Sequence, residues 1–181
     1  MKTFDKVIKE EILLKTSHLL DEREHGFLSQ KSCTTNMLRF TDNALMSIND
    51  CNTMSVDVIY FDFSKAFDSA NHDLILLKLK DYYFIDGRLL EFFRSYLCGR
   101  KQRVTIKICC STSKDVLSDV PQSIILDPIL FVLFINEIPQ CIDPGTNLAL
   151  YADDTKIWRK ITFDKDLSML QKDIVGHKMI R

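Results

Sequence analysis

Glycine and proline are scarce in this chain, five and four among 181 residues. So few breakers exclude a collagen-like or low-complexity chain and leave long stretches free to form helices and strands. Charge of one sign is also lacking: 24 basic and 25 acidic side chains give a formal net charge of -1. That balance argues against a stand-alone binder held to nucleic acid by a uniformly basic surface, though a basic cleft on a neutral body remains open. The six cysteines (Cys33, Cys51, Cys98, Cys109, Cys110 and Cys141) include no C-x-x-C pair, and no histidine stands at zinc-finger spacing. Charge alternates with apolar residues from Met1 to Glu11, so no signal peptide is expected, and the longest apolar run, Ile129 to Ile135, is too short to span a bilayer. These features predict an intracellular protein, in the cytoplasm or the nucleus, with free thiols.

What is present is a 46% apolar composition in a length that suits one domain with a sizeable core. Phe4, Val7, Ile8 and Ile12 share one face of a helix over 4–20, and a polar stretch runs from Asp21 to Ser32. Met37, Phe40, Ala44, Leu45 and Ile48 predict an amphipathic helix over 34–49. Val56 to Phe63 is β-branched and aromatic, which predicts a central strand. Helices are expected over 72–82 and 87–97, with Gly99 as a C-terminal cap. Asp68 and Asp73 read as helix caps, and His25 and His72 as loop or cap residues.

Gln102 to Cys110 alternates, with Val104, Ile106 and Ile108 expected to point inward from a hairpin strand. Asp127-Pro128 predicts an N-cap and first helical position, followed by a buried helix over 128–138. Short strands over 147–151 and 155–160 would flank a turn at Ala152, Asp153 and Asp154, with Trp158 packed under the sheet. Asp164 would cap a last helix over 165–175. The expected fold class is α+β, a small, mainly antiparallel sheet packed against helices.

Two strand ends carry carboxylates: Asp62 in V-D-V-I-Y-F-D-F-S-K-A-F-D, and Asp153 and Asp154 in N-L-A-L-Y-A-D-D-T-K-I-W. A buried carboxylate is costly unless a cation or hydrogen bonds neutralise it. Taken singly, each reads as an ordinary strand-end residue bonded to loop amides. Side by side in one sheet they would form a site for divalent cations, as nucleotidyl transfer requires.

Six blocks stand in a fixed order: H-G-F (25–27), V-D-V-I-Y-F-D-F-S-K-A-F-D-S-A-N-H-D (56–73), S-Y-L-C-G-R-K-Q-R-V (95–104), V-P-Q (120–122), D-P-I-L-F-V-L-F-I-N-E-I-P (127–139) and Y-A-D-D-T-K-I (151–157). In these, from about Glu24 to Arg159, the chain resembles the reverse transcriptase domain of non-LTR, LINE-type retrotransposons. The resemblance implies interleaved polymerase fingers and palm in a single domain over 1–181. It also implies RNA-directed DNA polymerisation with two Mg²⁺ ions (Mn²⁺ as a substitute), an RNA template, a DNA primer and deoxynucleoside triphosphates. Asp62 and Asp153 would be direct metal ligands, with Asp154 supporting and the Phe63 carbonyl completing the site. Phe67 would lie under the nucleotide sugar and exclude a 2′-hydroxyl. Pro121 and Gln122 would contact nucleotide and template, and Tyr151 and Ala152 the primer terminus. Lys31 and Arg103 would contact phosphate.

The chain departs from the family's pattern in places. The family's Gly-Val-Pro-Gln-Gly is here Asp119-Val-Pro-Gln-Ser123, its Leu-Gly-Pro is Leu126-Asp127-Pro128, and its Gly-Phe-Arg is Gly26-Phe27-Leu28. Lost glycines remove positive-φ freedom and close backbone approach, and Leu28 removes a triphosphate-gripping guanidinium. Beyond the Y-A-D-D hairpin the family continues into a primer grip and a helical thumb, so a fragment without a thumb is expected. These departures keep a second expectation alive, a catalytically inactive remnant of such a domain.

Overall fold

The valine- and isoleucine-rich run S-V-D-V-I-Y-F-D forms strand β1 (Ser55–Asp62). This is a computed structural model describing residues 2–62, 71–116 and 125–177. The described elements are α1 (Lys2–Thr16), α2 (Cys33–Ile48), β1, α3 (His72–Asp81), α4 (Gly87–Leu97), β2 (Lys101–Gln102), β3 (Thr105–Ile106), β4 (Cys109–Cys110), β5 (Lys114–Asp115), α5 (Leu126–Ile135), β6 (Asn147–Tyr151), β7 (Asp154–Ile161) and α6 (Asp164–His177). Short 3₁₀ turns follow α1 and α5. The mixture of helices and small antiparallel sheets is the expected α+β class. The chain divides into two compact units, one from residues 1–19 and 65–134, the other from 20–64 and 135–181.

The second unit holds the main sheet, in the order β1-β7-β6 with both pairings antiparallel. Its two faces are covered by different helices. Trp158 on β7 meets Phe40 of α2 edge to face, with ring centroids 5.0 Å apart. Arg159, the next residue and therefore on the opposite face, reaches Asp166 of α6. Ile157, Leu148, Leu150 and Leu170 are buried.

At the end of the sheet away from the β6–β7 turn, Arg159 donates from Nη1 to Asp143 Oδ1 (2.8 Å) and Thr146 Oγ1 (2.9 Å). The guanidinium holds the Asp143 carboxyl below the usual carboxylate range. Asp173 of α6 accepts from the Asp143 amide (2.9 Å) and the Thr146 hydroxyl (2.6 Å). Asp173 and Thr146 are both buried, so this cluster ties α6 and the loop before β6 to the strand bearing Arg159.

In the first unit, Ile75, Leu79, Phe93, Leu97 and the apolar α5 form a core. Tyr83 donates to the Leu133 carbonyl and Lys78 to that of Phe134, each at 2.8 Å. These bonds satisfy carbonyls in the last turn of α5 that have no intrahelical partner.

Several local expectations are corrected. Val104, Ile106 and Ile108 do not point inward: Ile108 is 97% exposed, and the segment forms four two-residue strands paired β2–β5 and β3–β4. Helix α5 begins one residue before Asp127, which lies buried in its first turn and accepts from the Tyr96 hydroxyl at 2.7 Å. Asn71, not Asp73, caps α3 by accepting from the Asp73 and Leu74 amides. At α6, Asp166 rather than Asp164 reaches back to the Thr162 and Phe163 amides. An N-terminal cap needs a side-chain oxygen over the first-turn amides, which Asn71 supplies, whereas Asp166 in the first turn of α6 bonds back to the two amides that precede it. Phe4 and Val7 are exposed, although Ile12 on the same face is buried. Gly99 does follow α4 with φ +73, as a C-terminal cap should. Asp68 lies outside the described residues.

Replacing Asp173 with alanine strands a buried hydroxyl and a loop amide, so Asp173→Ala lowers unfolding stability by about 2–3 kcal/mol. Urea denaturation measures this, and an unchanged midpoint contradicts the role assigned to the cluster.

Candidate active site

Strands β6 and β7 are joined by a two-residue turn, Ala152–Asp153, closed by the pair Tyr151 and Asp154. Ala152 is buried and adopts φ +54, a conformation that L-residues other than Asn and Asp rarely take. Strand β1 runs beside β7 so that Asp62 lies directly opposite Asp154. Positions 62, 153 and 154 therefore gather at one end of one sheet. Directly opposed Cα atoms in an antiparallel ladder are about 4.5–5.5 Å apart, and like charges so placed destabilise the pairing. Asp153 is half-buried and Asp154 is exposed. Among the described residues no three His, Cys, Asp or Glu side chains form a metal-ready cluster. The Asp62 side chain is outside that description, as are Phe63, Phe67, Pro121 and Gln122. Arg103 is exposed and belongs to the other compact unit.

The turn is held from a third direction. Leu150 on β6 donates its amide to the Arg23 carbonyl (3.0 Å) and accepts from the His25 amide (2.9 Å), so Glu24 forms a one-residue parallel bridge on the free edge of β6. The Leu150 carbonyl also accepts from Asn36 Nδ2 of α2 at 2.9 Å. Glu24 is 1% exposed, and its Oε1 accepts from the Gly26 amide and, at 3.2 Å, from the Ala152 amide. Its Oε2 is buried without a hydrogen-bond partner. Burial pushes the Glu24 carboxyl up to about 7, against the opposing pull of the amides of Gly26, Ala152 and His25 and of the Lys31 charge. The Glu24 carboxyl is thus half-protonated near neutral pH while its Oε1 stays on the turn.

Lys31, expected as a phosphate contact, donates from Nζ to the carbonyls of Glu22 (2.6 Å) and Glu24 (2.7 Å). Burial holds its ammonium below the ordinary lysine value. Gly26 is the close-approach point. A Cβ there would sit 2.7 Å from the Ala152 nitrogen and 2.9 Å from Glu24 Oε1. His25 is buried, with Nδ1 2.8 Å from the Thr35 hydroxyl. The Phe27 ring lies 6.4 Å from that of Tyr151, whose phenol is raised above its ordinary value first by a hydrogen bond with Cys33.

Glu24 and the bracing role of Gly26 are the residues that sequence reasoning missed. The available signal was an acid beside a glycine in the E-H-G-F run. Nothing local announces a partner 128 positions away.

Three acidic positions gathered at one sheet end, at a tight hairpin turn and the strand beside it, make up the candidate site. Residues 1–173 match the family model described as reverse transcriptase (RNA-dependent DNA polymerase), and the chain belongs to that family. It is 27% identical over 162 residues, 84% of its length, to a probable RNA-directed DNA polymerase from transposon X-element of Drosophila melanogaster. Over 109 residues, 57% of its length, it is 30% identical to the RNA-directed DNA polymerase from mobile element jockey of Drosophila funebris. The matched regions cover 17% and 12% of those two proteins. The similarity to mobile-element polymerases agrees with the LINE-type resemblance of the motifs. Among the described residues no helix is long and apolar enough to cross a membrane.

The brace yields two expectations. The unfolded chain ionises Glu24 near 4.5, whereas the folded chain keeps its proton up to about 7. Between those values only the unfolded state loses the proton, so this contribution falls by about 3 kcal/mol as pH rises from 4.5 through 7. In Glu24→Gln the amide oxygen still accepts and that part of the pH slope disappears. Urea midpoints between pH 5 and pH 8 measure it, and identical profiles for the two proteins contradict the burial argument. Separately, Gly26→Ala forces two backbones apart and lowers the melting temperature by several degrees, the equivalent of about 1–3 kcal/mol. A melting temperature equal to the parent's contradicts the close approach.

Proposed function

We propose that this chain forms fingers and palm of a LINE-type retrotransposon reverse transcriptase and carries its RNA-directed DNA polymerase centre. The observation that carries the reading is the β1–β7 register, with Asp62 opposite Asp154 and one position from Asp153, in a chain of the reverse transcriptase family. The residues fit divalent magnesium. The donors are hard oxygens, few ligands suffice for an ion that keeps its waters, and the opposed acids need a cation between them. Asp62 and Asp153 would hold the ions, with Asp154 supporting. Two bound Mg²⁺ ions would supply Lewis-acid stabilisation of the attacking primer oxygen and the departing pyrophosphate oxygen.

The chain's own groups would do the rest. The brace from Glu24 fixes the turn backbone, so the Asp153 carboxylate is presented without reorganisation. The Phe63 carbonyl would complete the ligand set. Phe67 would floor the sugar pocket and exclude a ribonucleotide 2′-hydroxyl. Pro121 and Gln122 would align nucleotide and template, while Tyr151 and Ala152 would border the primer terminus. Arg103 would contact phosphate. Lys31 would do so only by giving up one of the two carbonyls it holds. Mn²⁺ would substitute for Mg²⁺, since it accepts the same oxygen ligands.

A second reading, an inactive remnant, is favoured by Asp119, Ser123 and Leu28, which stand where the family carries two glycines and an arginine. Primer extension on an RNA template with a DNA primer, deoxynucleoside triphosphates and Mg²⁺ separates the two. The polymerase reading expects incorporation that falls about a hundredfold or more in Asp153→Asn. The same background from both proteins supports the remnant and contradicts the polymerase.

A further inference from the structure

The two edges of the β1-β7-β6 sheet are finished differently. The Glu24 bridge covers part of the β6 edge. Among the described residues no strand lies on the outer edge of β1. An edge strand presents a row of outward amides and carbonyls that pairs readily with another chain, and proteins blunt such edges with lysine, proline or a bulge. β1 uses none of these. The run S-V-D-V-I-Y-F-D holds no lysine or proline, and its pairing with β7 runs without interruption. Val56, Val58 and Ile59 are half-buried, and Tyr60 is 67% exposed.

Beside that edge runs a groove of about 600 Å³. Residues 56–59 of β1 form one wall, and Leu167, Gln171 and Ile174, on one face of α6, form the other. Leu167 is 46% exposed. Asp57 stands opposite Arg159 and therefore on the α6 side of the sheet. Among the described residues that line the groove, it is the only charged one. An occupant must bring a strand edge, apolar side chains at alternate positions and no acid opposite Asp57.

A second copy of β1 meets all three requirements. In a twofold antiparallel pair one residue must face its own copy, because successive pairs alternate between hydrogen-bonded and non-hydrogen-bonded. Centring on 57 would oppose two aspartates, and centring on 59 would set Asp62 against Val56. Centring on 58 sets Val58 against Val58, Asp57 against Ile59 and Val56 against Tyr60, with no like charges opposed. Positions 55–61 then pair, and Asp62 stays outside the ladder.

We propose that two copies of this chain join through the outer edges of β1, antiparallel and centred on Val58, into one sheet of order β6-β7-β1-β1-β7-β6. The twofold axis crosses the sheet, so both α6 helices lie on one face and close the grooves against each other through Leu167 and Ile174. The contact uses the same patch twice and stops at two copies. It needs neither metal nor turnover, so it goes beyond the polymerase reading and fails independently of it.

The test is sedimentation equilibrium of the chain from micromolar to hundreds of micromolar concentration. The mass rises from monomer to dimer and stops there. Val58→Lys and Val58→Asp each set like charges opposite one another and weaken dimerisation about tenfold or more. An equimolar mixture of the two restores it, because a contact that brings position 58 against its own copy turns repulsion into attraction. Thermal melts establish that both variants remain folded. Should either not fold, amide hydrogen exchange of the parent chain decides the matter. Residues 55–61 exchange more slowly at dimeric than at monomeric concentration, while 101–115 do not change. A monomer mass throughout overturns the proposal and leaves the groove to a strand of a different protein. Growth beyond the dimer, folded variants that still dimerise singly or fail to recover on mixing, or unchanged exchange over 55–61 overturns it as well.

Discussion

The antiparallel register between β1 and β7 is the constraint on which the rest depends. Eight residue pairs run from Ser55 opposite Ile161 to Asp62 opposite Asp154. A slip of β7 by one position against its neighbours would exchange the faces of that strand. Trp158 would leave Phe40, Arg159 would leave the cluster at Asp143 and Thr146, and Asp62 would no longer oppose an acid. The apolar and ionic partners at the far end of the sheet thus fix what happens at the turn. Two aspartate positions stand opposite each other there, and the remaining pairs hold the ladder in register.

The brace from the segment before α2 acts on the same end of the sheet by different means. It uses backbone bonds to Leu150, one carboxylate oxygen shared by two amides, and a glycine whose missing Cβ allows contact with Ala152. Ala152 in turn sits at positive φ, a strained conformation that persists only where neighbours over-determine it. The buried Glu24 contacts hold the turn in that conformation and connect residues remote in sequence to the end of the sheet where the acidic positions gather.

Much of this was legible in the chain. The helical periodicities around 34–49 and 87–97 match α2 and α4 closely, because one apolar face recurs at helical spacing. The hairpin at 147–160 was legible from its β-branched and apolar runs. What failed was alternation without burial: Val104, Ile106 and Ile108 have a strand's pattern but pair only in two-residue pieces and face outward. Capping failed by one or two residues where several oxygens compete, as at Asn71 against Asp73. Of the site, the acidic positions were legible, since carboxylates at apolar strand ends stand out. Glu24 was not, because its meaning lies in a contact with the Ala152 amide across the fold. Lys31 reads as a phosphate contact through the resemblance, and only its two carbonyl partners reveal a clamp.

The proposed polymerase reading rests on one physical statement, that the acids of β1 and of the β6–β7 turn act on a common cation. The most direct measurement is Mn²⁺ affinity, read by paramagnetic resonance, for the chain, Asp62→Asn, Asp153→Asn and the double variant. A shared ion predicts that each single change weakens binding strongly and that the double adds little, a large coupling between the positions. Additive effects, or affinity indifferent to either substitution, would mean that the two strand ends do not hold an ion together.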